Sequence, residues 1–127
     1  MSLVPAEADF VGVDRILQGT DWARVVPMPQ DMSAYDPALT PGALLRGALK
    51  TPDLMTVVAS TELGTMVLSF DDVLSLRVQF TAAGTAGALP RKDLVWDVEA
   101  KNGLTGYIDR IAQGTAHLYR EVTTASS

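Results

Sequence analysis

The chain contains no cysteine. That excludes a disulfide scaffold, a thiolate metal site and a cysteine nucleophile, and it fits a reducing compartment. Histidine occurs once, at position 117, so a triad or metal site would have to be completed from elsewhere. Positive charge is scarce: 10 Lys and Arg stand against 15 Asp and Glu, for a net charge of -5. The longest basic run is Arg91-Lys92. An acidic chain with no basic stripe is repelled by phosphate backbones, so nucleic acid is not an expected partner. No apolar run approaches the roughly 18 residues needed to span a bilayer, so no membrane contact is expected. The first residues, Met1-Ser2-Leu3-Val4-Pro5-Ala6-Glu7, lack a basic and an apolar region, and no secretory signal is expected. Aromatic residues are also few, with 2 Trp, 3 Tyr and 3 Phe.

What is present is ordinary globular material. Hydrophobic residues make up 47% and charged residues 20% of 127 positions, which fits one domain with one core. The expected organisation is an N-terminal arm over 1–12, a single β domain over 13–123 and a loose tail over 124–127.

Apolar spacing over 10–17 suits either a strand or a short helix ending at Gly19. Residues 22–26 read as a strand closed by Pro27 and Pro29. Residues 27–42 hold Pro27, Pro29, Pro37, Pro41 and Gly42, a density that breaks both helix and ladder. A long surface loop is expected there. Short strands separated by turns follow over 43–50, 55–60 and 65–70. The clearest period-two signal is Leu74, Leu76, Val78 and Phe80 alternating with Ser75, Arg77 and Gln79. The small-residue run over 81–89 reads as a helical turn or a tight crossover. Leu94, Trp96 and Val98 mark another strand, and Asn102-Gly103 marks a hairpin turn. Leu104, Tyr107, Ile108 and Ile111 suit a strand or a helix. Gln113-Gly114 reads as a turn before a last strand over 115–122. Many short strands with frequent turns point to an all-β sandwich or small barrel.

Chemistry-bearing residues are weakly organised. His117 shares a strand face with Tyr119 and Glu121 and reads as a surface histidine. Asp71-Asp72 reads as a turn in which Asp bonds its own backbone. Asp93, Asp97 and Glu99 share a strand face and would repel unless paired; with Arg91 and Lys92 nearby they read as a solvated face. Asp97 also has the option of bonding a loop's backbone. Gly84-Thr85-Ala86-Gly87 lacks the Gly-Lys-Ser/Thr of a phosphate loop. No catalytic residue, metal ligand or cofactor site is expected. Trp22 and Trp96 read as core anchors, although Trp22 follows a turn and is also placed to face a partner. Tyr35 sits in the proline-rich loop as an exposed aromatic anchor.

The order of certain motifs carries a family resemblance. They are Gln18-Gly19-Thr20-Asp21-Trp22, Thr40-Pro41-Gly42-Ala43, Leu76-Arg77-Val78-Gln79-Phe80, Thr81-Ala82-Ala83-Gly84-Thr85-Ala86, Leu94-Val95-Trp96-Asp97-Val98-Glu99 and Gly114-Thr115-Ala116-His117-Leu118. Over about residues 16–123 the chain resembles the N-terminal domain of upper baseplate proteins of tailed bacteriophages, and related short phage virion proteins. The resemblance implies an immunoglobulin-like antiparallel β-sandwich docked in the tail, baseplate or neck. It implies a virion location after synthesis in the host cytoplasm, and partners that are other phage structural proteins and ring-forming copies of itself; that the chain is not an enzyme is expected from the residues, with one histidine, no thiol and no catalytic motif. It also implies structural roles for Gly19 as a turn and Asp97 as a strand-to-loop bond. Partner contacts are expected from the arm and the 27–42 loop, with Phe10, Trp22 and Tyr35 as the residues. The competing expectation is a small β-sandwich that binds carbohydrate or another small ligand. It would need a concave site with converging aromatic and polar groups, and an exposed Trp22 with Tyr35 beside it would favour it.

Overall fold

Strict apolar/polar alternation builds the sheets, because successive strand side chains point to opposite faces. In the computed structural model, which describes residues 4–120, nine strands form two packed sheets. The strands are β1 (Ala6–Glu7), β2 (Ile16–Leu17), β3 (Trp22–Pro27), β4 (Leu44–Lys50), β5 (Val57–Ser60), β6 (Met66–Asp72), β7 (Ser75–Phe80), β8 (Arg91–Lys101) and β9 (Ile108–Tyr119). The larger sheet runs β1-β9-β8-β4-β5, with β2 also on β9; the smaller runs β3-β7-β6. The chain is an all-β sandwich. All pairings are antiparallel except those of β1 and β2, which lie parallel to β9.

The inner faces match the alternation. Leu76, Val78 and Phe80 of β7 face Leu94, Trp96, Val98 and Ala100 of β8, and all seven are buried. One short helix, α1 (Ala82–Ala86), links the sheets. It is fastened by the 18–21 turn. Asp21 accepts from the Ala82 N–H at 2.8 Å, Thr85 Oγ1 accepts from the Gly19 N–H at 2.9 Å, and the Gln18 amide donates to the Ala88 carbonyl. Thr85 is fully buried. A side chain at Gly84 would meet Thr65, so the small-residue run is a close crossover.

Four sequence expectations require correction. First, the arm is not free from Ala6 onward. Ala6 pairs with Ala112 and Glu7 with Gln113, and Phe10 is 3% exposed. Second, the 27–42 loop is not merely superficial. It forms a 3-10 turn (Ser33–Tyr35) and sinks Met28, Met32 and Tyr35 into the core. Its prolines stop a ladder but do not stop intervening apolar side chains from capping the sandwich. Third, Gln113-Gly114 is no turn. β9 runs straight through it, because Gly114 lies under the arm. A Cβ there would strike the Ala8 carbonyl and crowd the Trp96 indole nitrogen. Fourth, residues 104–107 belong to the hairpin loop and β9 begins at Ile108. Residues 1–3 and 121–127, including the expected tail and Glu121, lie outside the described residues.

Backbone bonds and one indole bond sew in the arm. The Ala8 N–H donates to Gln113 at 3.1 Å, the Phe10 N–H to Thr115 at 2.9 Å, and the His117 N–H to Phe10 at 2.9 Å. The Trp96 indole donates to the Ala8 carbonyl at 3.0 Å. The Phe10 ring stacks on Trp96 at 4.6 Å and meets Trp22 edge-on at 4.5 Å. Phe10→Ala therefore lowers unfolding free energy by about 3–5 kcal/mol, measured by denaturant titration. A loss under about 1 kcal/mol would contradict this placement.

Candidate interaction surfaces

The three side chains expected to meet a partner all lie inside the chain. Phe10, Trp22 and Tyr35 are 3%, 7% and 7% exposed. This corrects the expectation that Tyr35 stands free in its loop. Its hydroxyl donates to Asp109 at 2.8 Å, and burial followed by that bond pushes the phenol above its ordinary pKa. Tyr35 thus ties the proline-rich loop to the start of β9. Trp22 donates its indole N–H to the Asp14 and Arg15 carbonyls, each at 3.1 Å, and stacks on Phe80 at 5.2 Å. The ring platform that a sugar site would need is committed to the core.

Several carboxylates on the sheet faces are paired with arginines. Asp71 is held by Arg77 at 2.8 Å, Asp93 by Arg91 at 2.7 Å, Asp97 by Arg110 at 3.3 Å and Glu99 by Arg46 at 3.6 Å. The arginine hydrogen bonds hold the Asp71 and Asp93 carboxyls below the usual range. Asp72 accepts from the Leu74 N–H, the backbone role expected of it. Asp97 binds an arginine and not a loop's backbone, which corrects the role drawn from the resemblance. Gly19 does occupy a turn, at φ 76°. His117 is half-buried and stacks with Tyr119 at 6.2 Å; its Nδ1 has no partner among the described residues. No cluster of three or more His, Cys, Asp or Glu arranged to hold a metal occurs among the described residues.

Asp9 has a different job. Its carboxylate accepts from the Thr115 N–H at 3.1 Å and hydroxyl at 2.9 Å. Those bonds, the backbone one first, hold its carboxyl below the ordinary value. It clamps the arm onto β9.

Exposed apolar side chains are scattered over the described residues, as at Val13, Val25, Val67 and Leu74, and two groups of them stand at the ends of the larger sheet. At one end, Leu44, Lys101 and Ile108 stand in register on β4, β8 and β9. Leu44 is 62% and Ile108 56% exposed, and Leu104 and Tyr107 in the adjoining turn are more so. A depression of about 500 Å³ lies among Leu44, Arg46, Glu62, Glu99, Lys101 and Ile108. The turn is braced from below, since the Gly103 N–H donates to Ala34 at 2.8 Å. Asn102 accepts from the Leu104 and Thr105 N–H groups.

The opposite end presents Leu54, Met55, Val57 and Leu89. Here too the turn is hydrogen-bonded. Thr51 is buried, its hydroxyl bonds Asp53, and it also accepts from the Thr56 N–H at 3.2 Å. Asp53 accepts from the Met55 N–H at 3.0 Å. The Thr51 bond, first among several, holds the Asp53 carboxyl low. Leu54 takes φ 64°, a left-handed backbone that a branched residue adopts only at a cost. The two ends are separated by the length of β4, about 20 Å at strand rise.

These ends were not singled out from sequence, yet a signal existed. Leu44-Leu45 are adjacent apolar residues in a strand, so one must face outward. No such signal marks Leu54, whose exposure follows from turn geometry alone. No family model and no curated protein matches this chain.

Two outcomes are expected. Leu54→Gly relieves the left-handed backbone and raises unfolding free energy by about 1 kcal/mol in a denaturant titration; a loss would mean that Leu54 packs on something. Asp9 contributes stability above the ordinary Asp value of about 3.9, and that contribution is lost as pH falls through its lower folded pKa. The stability gap between the native chain and Asp9→Asn therefore shrinks as pH falls from about 5 through the ordinary Asp value and on toward the lower folded one. A gap that stays constant over that range contradicts the clamp.

Proposed function

We propose that this chain is a non-catalytic structural subunit of a tailed-phage particle. It docks in the tail, baseplate or neck as an adaptor or connecting piece between other phage structural proteins and copies of itself. The observation that carries this reading is the pair of exposed apolar ends, held by hydrogen-bonded turns at opposite ends of one strand. Contiguous exposed apolar groups mark interaction sites. A connector needs two unlike contact surfaces facing away from each other, because head-to-tail contacts between unlike patches generate rings or stacks. Leu54 holds a strained backbone while exposing its side chain, and such strain is kept where it serves a contact. The motif order over 16–123 adds the phage context, together with an immunoglobulin-like arrangement of the sandwich.

The competing reading, a carbohydrate or small-ligand module, loses its best residues to the core at Trp22 and Tyr35. An enzymatic role has little to work with, since the carboxylates on the sheet faces are neutralised by neighbouring arginines.

The test is quantitative mass spectrometry of purified phage particles encoding this chain, with the major tail protein as the internal reference. The expected result is a fixed copy number set by three- or six-fold symmetry. Finding the chain only in the infected-cell lysate would sink the reading.

A further inference from the structure

The edge of β9 is a built peptide slot, and its ligand is already visible. The slot reads residues 6–10 in parallel register through backbone bonds at Gln113, Thr115 and His117. It admits the chain at Gly114, where any side chain would strike the Ala8 carbonyl. It has an indole donor for that carbonyl in Trp96 and a ring pocket for Phe10 between Trp96 and Trp22.

The connection from arm to domain has slack. Phe10 bridges Ala116 and Ile16 pairs with Leu118. Six steps of chain therefore span what two steps of β9 cover. The surplus is a 3-10 turn (Gly12–Asp14) that stands off the sheet. Gly12 has no heavy atom within 4 Å of a built Cβ and sits at φ 60°, and Val13 is 86% exposed. Behind the turn the chain is anchored again, by the Trp22 indole on the Asp14 and Arg15 carbonyls and by the Arg24–Asp14 ion pair. Straightening 11–13 breaks the Val11–Asp14 and Gly12–Arg15 turn bonds, the Arg15 side-chain bond to Gly12 and a 3.3 Å bond from Arg24 to the Val13 carbonyl, and no burial of an apolar side chain between Gly12 and Asp14 opposes it.

We propose that this slot accepts residues 4–10 of a second copy, so that chains are linked by exchanged arms. An arm makes the same contacts in its own slot and in a partner's. The slot contributions cancel, and the balance is set by the hinge and by concentration. Straightened, residues 11–13 span roughly 10 Å, enough to carry the arm out of its own slot. This deepens the connector reading and rests on it for the identity of the partner as a like subunit.

The absence of cysteine makes the test clean. Glu7 and Gln113 are register partners on adjacent strands, which lie about 5 Å apart, within the Cα spacing that a disulfide spans. One full-length chain carries Glu7→Cys and an isotope-labelled one carries Gln113→Cys. Neither can close a disulfide within itself, so a mixed disulfide reports one chain's arm in the other's slot. The control pairs Glu7→Cys with Ser69→Cys, on the exposed face of the smaller sheet. After mixing at rising concentration and oxidation, intact mass should show the 7–113 heterodimer several-fold above the control. Adding Gly12→Val to both chains should raise its yield, because a branched residue resists φ 60° and favours the straight hinge.

Heterodimer at the control level, with and without Gly12→Val, would overturn the proposal. The outcome is separable from the particle test. Cross-links with no chain in purified particles would leave arm exchange standing and remove the phage role. Particles containing the chain without cross-links would do the reverse.

Discussion

The sandwich depends on one aromatic column. Trp96 comes from the larger sheet, Trp22 and Phe80 from the smaller, and Phe10 from the arm. Phe10 is the piece that spans the gap. Without it the two tryptophans would face a void, and voids in close-packed interiors forfeit contacts on every lining atom. The column also sets backbone requirements elsewhere. Trp96 must find a partner for its buried N–H, and the Ala8 carbonyl provides it. That carbonyl can come so close only because residue 114 is glycine. A stacking preference, a buried donor and a missing side chain are thus three aspects of one contact.

Polar chemistry is spent on fastening. Asp21 caps α1, Asp9 clamps the arm, Asp53 shapes a turn, and the Asp and Glu of the sheet faces are answered by Arg46, Arg77, Arg91 and Arg110. Exposed pairs of this kind add little stability. Their effect is to balance charge across the sheet faces. At the sheet ends, by contrast, apolar side chains stand out and the turns beneath them are hydrogen-bonded.

Much of the fold was legible because period two is a strong signal wherever one face is buried. The strands at 22–27, 44–50, 66–72, 75–80 and 91–101 all lie where alternation or β-rich apolar residues place them. The failures share a cause. Phe10, Tyr35 and Gly114 are decided by segments distant in sequence. Glycine after glutamine reads locally as a turn; only the arm, 106 residues away in the chain, makes it a strand position. Tyr35 in a proline-rich stretch reads as exposed, because prolines report what the backbone cannot do and not what side chains reach. The exposed apolar ends were less legible still, since apolar residues at 104–108 carry the same letters whether they fill a core or face water.

The arm's position has a further consequence for how the chain closes. β1 and β2 are the first strands made, yet both pair with β9, the last. Their contacts have the longest loops to close, and loop-closure entropy is met before those contacts return anything. Until the arm docks, β9 is an open edge with unpaired backbone groups and an empty ring pocket between two tryptophans. Open edges recruit strands from other chains unless covered. The arm is the cover, and it is fixed by two short strands with a slack turn between them. A cover tied that loosely to its own domain protects the edge when chains are dilute. When many copies are held side by side, the same edge and the same arm become a means of joining them.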